Sequence, residues 1–318
     1  MAINPSSGAA FCQRVTDLTH VRLETVARDL LRYPELTPPC FDKISWTLID
    51  SRVFVDVLDT VIQPLLDYYT IVRCLNGFVY RLDNLSESGR NVPESSGEFR
   101  SNVLDACIRC AETTFARDRI VDAIATWMNE HLDFVTREVM AQEAILNRSS
   151  LDDKYFRALF EVTDQEYIDL GFYGRLLQMW LSSTDTGELS GAVWGVRCRV
   201  MDIVDALADV DEDIAARKVC PFGMYVYSVG NDDERRRFVE AFESHNPGEL
   251  LSLMRPYSGR LINHYRHVIE VVPSEVQNYR GAMRVADILD RTQEFVLGRT
   301  EVSDLDRFYL ETTVTMQF

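Results

Sequence analysis

Apolar side chains recur every three or four residues along nearly the whole of this 318-residue chain, and that spacing leaves room for little except helices. The stretches Val53 to Tyr80, Val103 to Phe115, Ile120 to Leu146, Tyr155 to Leu181 and Val193 to Ile214 each lay an apolar stripe along one helical face. Further helices are expected over Asp232 to Glu243, Pro247 to Arg255, Tyr257 to Val271 and Ser274 to Leu297, with a short terminal piece after them. The period-two alternation of a half-buried strand is almost absent. Breakers separate the segments: Pro34, Pro38 and Pro39, then SESGRNVPESSGE at 86–98, STDTGE at 183–188, HNPGE at 245–249 and VVPSE at 271–275. Pro64 predicts a kink, and Ser149 and Ser150 before Asp152 and Asp153 predict a helix start. Without internal repeats or long linkers, the expectation is an all-α chain forming one domain over 1–318, with 1–20 loosely packed. In a closed helical bundle of this kind, ligand sites lie between facing helices.

Charge narrows the function. Lys and Arg number 33 against 50 Asp and Glu, a net charge of -17, which opposes a nucleic-acid surface because phosphate binding gathers basic residues on one face. An enzyme this acidic repels an anionic substrate unless bound cations reverse the local field. The seven cysteines, at 12, 40, 74, 107, 110, 198 and 220, follow no finger or ribbon spacing. Cys107 and Cys110 form a CxxC inside a helical pattern and read as packing residues. No stretch approaches the roughly 20 apolar residues of a membrane span, and the start has no signal-like apolar run. A soluble, cytoplasmic protein with reduced thiols is therefore expected.

The segment RVMDIVDALADVDEDIAARKVCPF, residues 199–222, carries the strongest chemical signal. At about 100° per residue, Asp202, Asp205, Asp209 and Asp213 fall within roughly 80° of one another, while Asp211 points to the other side. Like charges one turn apart oppose helix formation, and oxygen-rich carboxylate sites suit Mg²⁺. A plain solvated acidic face is the competing reading. A weaker acidic element follows the apolar run Ile71 to Leu82, where Asp83 and Glu87 share a face at i and i+4 ahead of a turn.

Together these two elements resemble the class I terpene synthases, whose chains carry a DDxxD or DDxxE motif and, on a later helix, an N-D-x-x-S-x-x-x-E triad. DNLSE matches the first, with Asn84 where the second aspartate usually stands, and the resemblance makes Asp83 and Glu87 metal ligands. DALADVDED sets Asp205, Asp209 and Asp213 at the spacing of the triad, with aspartate replacing all three side chains. Glu212 stands where many members have a lysine. Near the end, VLGRTEVSDLDRFYLE has Gly298, then Arg307 and Tyr309, similar to the family's diphosphate-gripping Arg-Tyr pair with Phe308 inserted. A diphosphate-sensing arginine is expected before the triad, where Arg175 and Arg157 are the candidates and Arg175 is preferred. The resemblance runs over about residues 45–312.

What the resemblance implies is a single closed bundle of the class I isoprenoid synthase type with a central active-site cavity. Three Mg²⁺ ions would be held by the two acidic elements, with a linear prenyl diphosphate, such as farnesyl or geranylgeranyl diphosphate, ionised and its carbocation cyclised. Phe78, Tyr80, Phe172, Tyr173, Trp180 and Trp194 are the aromatic candidates for the pocket wall. The expected partner is that small-molecule substrate, with a second copy of the chain as the macromolecular candidate and neither nucleic acid nor membrane insertion. Two alternatives stand beside this reading. DVDED followed by RKVCPF, with YRLDNLSE, also resembles the squalene and phytoene synthases, which couple prenyl chains. A non-catalytic helical relative is the other. His264 and His267 have no third ligand nearby in sequence, so zinc is not expected.

Overall fold

The structure is a computed structural model that describes residues 6–36, 65–87, 92–149, 151, 154–161, 202–271 and 280–300, with isolated helical positions 172, 176, 179, 180, 196, 199 and 200. Among these residues every regular element is helical. The chain divides into two compact units, Met1–Thr136 with Phe172–Glu188 and Leu310–Phe318, and Arg137–Gly171 with Leu189–Tyr309.

In the first unit, helix α1 spans Ser6–Val26 and is followed by two 3-10 turns, Arg28–Arg32 and Pro34–Leu36. Helices α2 (Leu66–Glu87) and α3 (Val92–Ala111) come next, then the first two thirds of α4 (Arg117–Leu146). Helix α2 is the centre: residues 68–78 are buried on every side, and α1 and α3 both pack against it. Tyr68, Ile71, Val72, Leu75 and Phe78 form its apolar body. A helix buried all round must also satisfy its polar side chains internally. Arg73 does so through its two terminal nitrogens, donating to Thr16 O (3.3 Å), Thr19 Oγ1 (3.1 Å) and Leu36 O (2.6 Å). Burial pushes its guanidinium down to about 10, still charged at neutral pH. Val15, Thr16, Thr19 and Leu23 are buried, so α1 is anchored over residues 13–20, which the sequence reading leaves loose.

Two further sequence expectations change here. The turn-rich stretch 86–98 becomes helical from Val92, because Pro93 sits in the first turn, where no backbone N–H is needed, and Phe99 and Val103 bury the face that follows. The helix expected to reach Phe115 ends at Ala111, leaving Phe115 97 % exposed in the turn before α4. Cys74, Cys107 and Cys110 are free, buried thiols, in keeping with a packing role.

The second unit contains the end of α4, α5 (Lys154–Phe160), a helical stretch over 202–208, α6 (Val210–Ala216), α7 (Pro221–Val229), α8 (Asp232–Glu243), α9 (Pro247–Val271) and α10 (Arg280–Val296). Helix α9 organises it, packing against α6, α7, α8 and α10. The helices expected over Pro247 to Arg255 and Tyr257 to Val271 are one, and α9 runs straight through Pro256. Leu253, Met254, Tyr257, Leu261 and Ile262 are buried on both sides of the proline, and that packing outweighs one missing helical hydrogen bond.

Helix α7, PFGMYVYSV, is short and buried along residues 222–228, so both ends must be capped. Cys220 Sγ accepts from Gly223 N (3.4 Å) at its start. At its end Arg235 donates to Tyr227 O and Ser228 O (both 3.0 Å), and Arg157 donates to Ser228 O as well. Helix α8 opens on a capping box between Asn231 and Glu234, whose Oε2 also accepts from Tyr257 Oη at 2.9 Å. Helix α10 closes on Gly298 with φ 69°, where Gly298 N donates to Phe295 O (2.8 Å) and Arg299 N to Glu294 O (2.9 Å). That glycine meets the general demand of a left-handed helix end.

Candidate functional site

The acidic segment keeps the register expected from its spacing. Helix 202–208 bends at Asp209 (φ −94°, ψ 13°) and resumes as α6. Two bonds link the segments through the bend: Asp209 N donates to Asp205 O (2.9 Å) and Asp213 N to Asp209 O (2.8 Å). Ile203, Val204, Leu207, Val210 and Ile214 are buried, which leaves the aspartates for the other face: Asp205 and Asp209 are exposed and Asp213 is half-buried. Asp202, one turn earlier, pairs with Arg199. Asp211 and Glu212 are exposed.

Asp213 is electrostatically the most unusual member. Its carboxyl is lifted to about 6, chiefly by burial, with Lys218 and a hydrogen bond from the Cys220 thiol pulling it down and the Asp209 and Asp205 carboxylates adding a smaller upward push. The chain reversal that makes this possible is at Arg217, in the left-handed region at φ 53°, with Lys218 N donating to Asp213 O (2.8 Å). Val219 N then donates to Gln142 Oε1 on α4 (3.1 Å), which fixes the reversal. Burial pushes the Cys220 thiol up, and the Asp213 carboxylate beside it pushes in the same direction.

The other acidic element sits in the first unit, on the last turn of α2. Asp83 is half-buried and its backbone carbonyl accepts from Ser86 Oγ (2.9 Å). Glu87 is the final residue of α2. Asn84, in the place of the family's second aspartate, donates from Nδ2 to Glu35 Oε1 (3.3 Å), and Arg81 donates to the same oxygen (3.1 Å). Glu35 has no sequence signature: it lies in a proline-flanked turn 46 residues from Arg81.

Of the expected diphosphate ligands, Arg175, Arg307 and Tyr309 lie outside the described residues. Arg157 is occupied as a cap of α7. Among the aromatic candidates, Phe78 is core, Phe172 stacks on Trp127 (4.9 Å, 10°) and Trp180 lies 6.5 Å from Tyr68. Trp127 also stacks on His131 at 5.3 Å, a cluster that helical periodicity alone does not single out. Tyr173 and Trp194 lie outside the described residues.

Among the described residues no three His, Cys, Asp or Glu side chains close on a single point as a metal shell would. The geometry of a helix accounts for this in the acidic segment: ligands four residues apart are separated by about 6 Å of rise, whereas Mg²⁺ holds its oxygens at about 2.1 Å. Such a line donates one or two oxygens per ion and leaves the rest of the shell to water, substrate or another element. The donor set, carboxylate oxygens with Lys218 opposing their charge at Asp213, fits a hard divalent cation. Among the described residues no helix is long and apolar enough to cross a membrane. Comparison of the chain with family models, with curated proteins and with solved structures gives no match.

Proposed function

We propose that this chain is a Mg²⁺-dependent enzyme of the class I terpene synthase kind, which ionises a linear prenyl diphosphate such as farnesyl or geranylgeranyl diphosphate and cyclises the carbocation. The observation that carries the reading is the line Asp205, Asp209, Asp213: three carboxylates linked turn to turn across the bend by the Asp209 N–Asp205 O and Asp213 N–Asp209 O hydrogen bonds, with the last carboxyl lifted to about 6 chiefly by burial. Carboxylates in such a line repel, and a bound cation relieves that repulsion. In this reading Asp83 and Glu87 supply the second set of oxygens, and Arg175, Arg307 and Tyr309 grip the diphosphate. The bundle closes around a central cavity and the protein works in the cytoplasm. With Mg²⁺ bound, the chemistry gained is neutralisation of charge on the departing diphosphate. The allylic C–O bond breaks with its electron pair going to the diphosphate oxygen, and aromatic faces stabilise the cation left behind. Loss of a proton completes the hydrocarbon.

The test is incubation of the purified protein with Mg²⁺ and geranyl, farnesyl or geranylgeranyl diphosphate, alone and with isopentenyl diphosphate, followed by analysis of organic extracts and released diphosphate. Metal-dependent terpene from one diphosphate supports the reading. A longer coupled product moves it to prenyl transfer, and no turnover by folded protein rejects both. Asp209→Asn is expected to raise the half-saturating Mg²⁺ concentration about tenfold, while Asp211→Asn, on the opposite side, leaves it unchanged. Equal effects would reject the stripe as the metal face.

A further inference from the structure

The first unit buries a carboxylate that the proposed chemistry does not use. The Glu35 side chain is 2 % exposed. Its Oε1 accepts from Arg81 and Asn84, while Oε2 is buried without a hydrogen-bond partner, as is Arg81 Nε. The Arg81 guanidinium also lies 5.7 Å from the centre of the Tyr33 ring. The turn that carries Glu35 is itself held on α2 at two lower levels. Leu36 O accepts from Arg73 at 2.6 Å, and the Leu36 side chain lies so close over Gly77 that an added Cβ would meet Leu36 Cδ2 at 2.6 Å.

We propose that Glu35 is a positioning residue that fixes the roll and height of the end of α2 and so aims Asp83; the inference rests on the prenyl diphosphate reading above. Arg81 and Asn84 are three residues apart and share a face of the helix. Two donors converging on one oxygen therefore lock the rotation of that turn. Asp83 leaves the helix about 130° around from the locked face, so the roll fixed at Arg81 and Asn84 also sets the direction in which Asp83 departs. A desolvated carboxylate with one oxygen unpaired is a poor means of gaining stability, because apolar side chains of the same volume pack there without that penalty. Alignment of a ligand-bearing helix end is a use that tolerates the cost, and supporting partners of this sort commonly govern metal affinity.

The experiment compares the intact protein with Glu35→Gln, the double variant Glu35→Leu with Arg81→Met, and Asp83→Ala. Each is melted with and without Mg²⁺ plus inorganic pyrophosphate, and each is assayed with farnesyl diphosphate. The double variant is expected to keep its helical circular dichroism and its metal-free melting midpoint. Its half-saturating Mg²⁺ concentration rises roughly tenfold, and kcat falls while KM for the prenyl diphosphate holds. Glu35→Gln, which preserves shape and an acceptor oxygen, shows the same shift at smaller size and keeps the test valid if the double variant fails to fold. Metal and pyrophosphate responses equal to wild type in a folded Glu35 variant would overturn the inference while leaving the functional reading intact. A wild-type response that Asp83→Ala retains in full overturns it too. No response in the wild type rejects the functional reading, and the inference falls with it.

Discussion

Among the described residues the two units differ in where they bury charge. In the first, Glu35, Arg73 and Asn76 are buried together with several hydroxyls. In the second, the buried polar residues among those described are Ser228, Ser258 and Thr292, each donating to a carbonyl three or four residues back in its own helix (2.7–2.8 Å). Buried charge with distant partners specifies how segments register against one another, whereas a hydroxyl bonded within its own helix specifies nothing beyond that helix. The second unit leaves Asp205 and Asp209 exposed on its acidic stripe, and the first uses buried charge as a fixed fastener.

The sharpest way to break this contrast is to remove the fastener. Arg73→Ala removes the donor to the Leu36 carbonyl and leaves a cavity in the centre of the first unit, so a loss of about 4 kcal/mol is expected in denaturant unfolding. A loss below about 1 kcal/mol would show that the buried guanidinium does not organise the unit. Next in size is Gly77→Ala. Alanine raises helix propensity by about 1 kcal/mol, but its Cβ would sit 2.6 Å from Leu36 Cδ2 and 2.8 Å from Leu36 Cγ. A net loss of about 2 kcal/mol is expected from that crowding, and a stabilised variant would mean that the Glu35 turn yields easily.

The smallest effect belongs to the second unit and depends on pH. Asp213 has a folded pKa of about 6, above its ordinary 3.8, so the native state holds its proton more tightly than the unfolded chain. Its contribution is therefore unfavourable above pH 6, shrinks as pH falls through the window from 6 to 4, and vanishes below it. In metal-free buffer Asp213→Asn should gain about 1 kcal/mol at pH 7.5, a value discounted because the carboxyl is partly solvated. The gain should disappear at pH 3.5. An equal gain at both pH values would point to packing instead of charge.

How much of this was readable beforehand follows from the range of the interactions. The acidic stripe depends only on the angular step of a helix, and its aspartates fall in the expected register despite the bend at Asp209. Helix α8 and most of α4 were legible for the same reason, and the capping box at Asn231 marks where α8 begins. The separation of Pro247–Arg255 from Tyr257–Val271 and the loop over 86–98 differ from the structure because tertiary burial of Leu253, Met254, Phe99 and Val103 prevails over local breaker chemistry. Glu35 and Arg73 were invisible, since their partners lie 37 to 57 residues away and no local pattern announces such a pair.

The buried arginine also has a consequence for synthesis. Helix α1 emerges from the ribosome ahead of α2, yet Arg22 pairs with Asp67, 45 residues downstream, and Thr16 waits for Arg73, 57 residues downstream. At about 5–20 residues per second, translation leaves α1 without those partners for several seconds. Val15, Leu23 and Val26, buried in the finished unit, are open to other contacts during that interval. The first unit thus assembles backwards, with its amino-terminal helix docking only after α2 has been made, and yields of folded protein should respond to the speed at which residues 27–73 are translated.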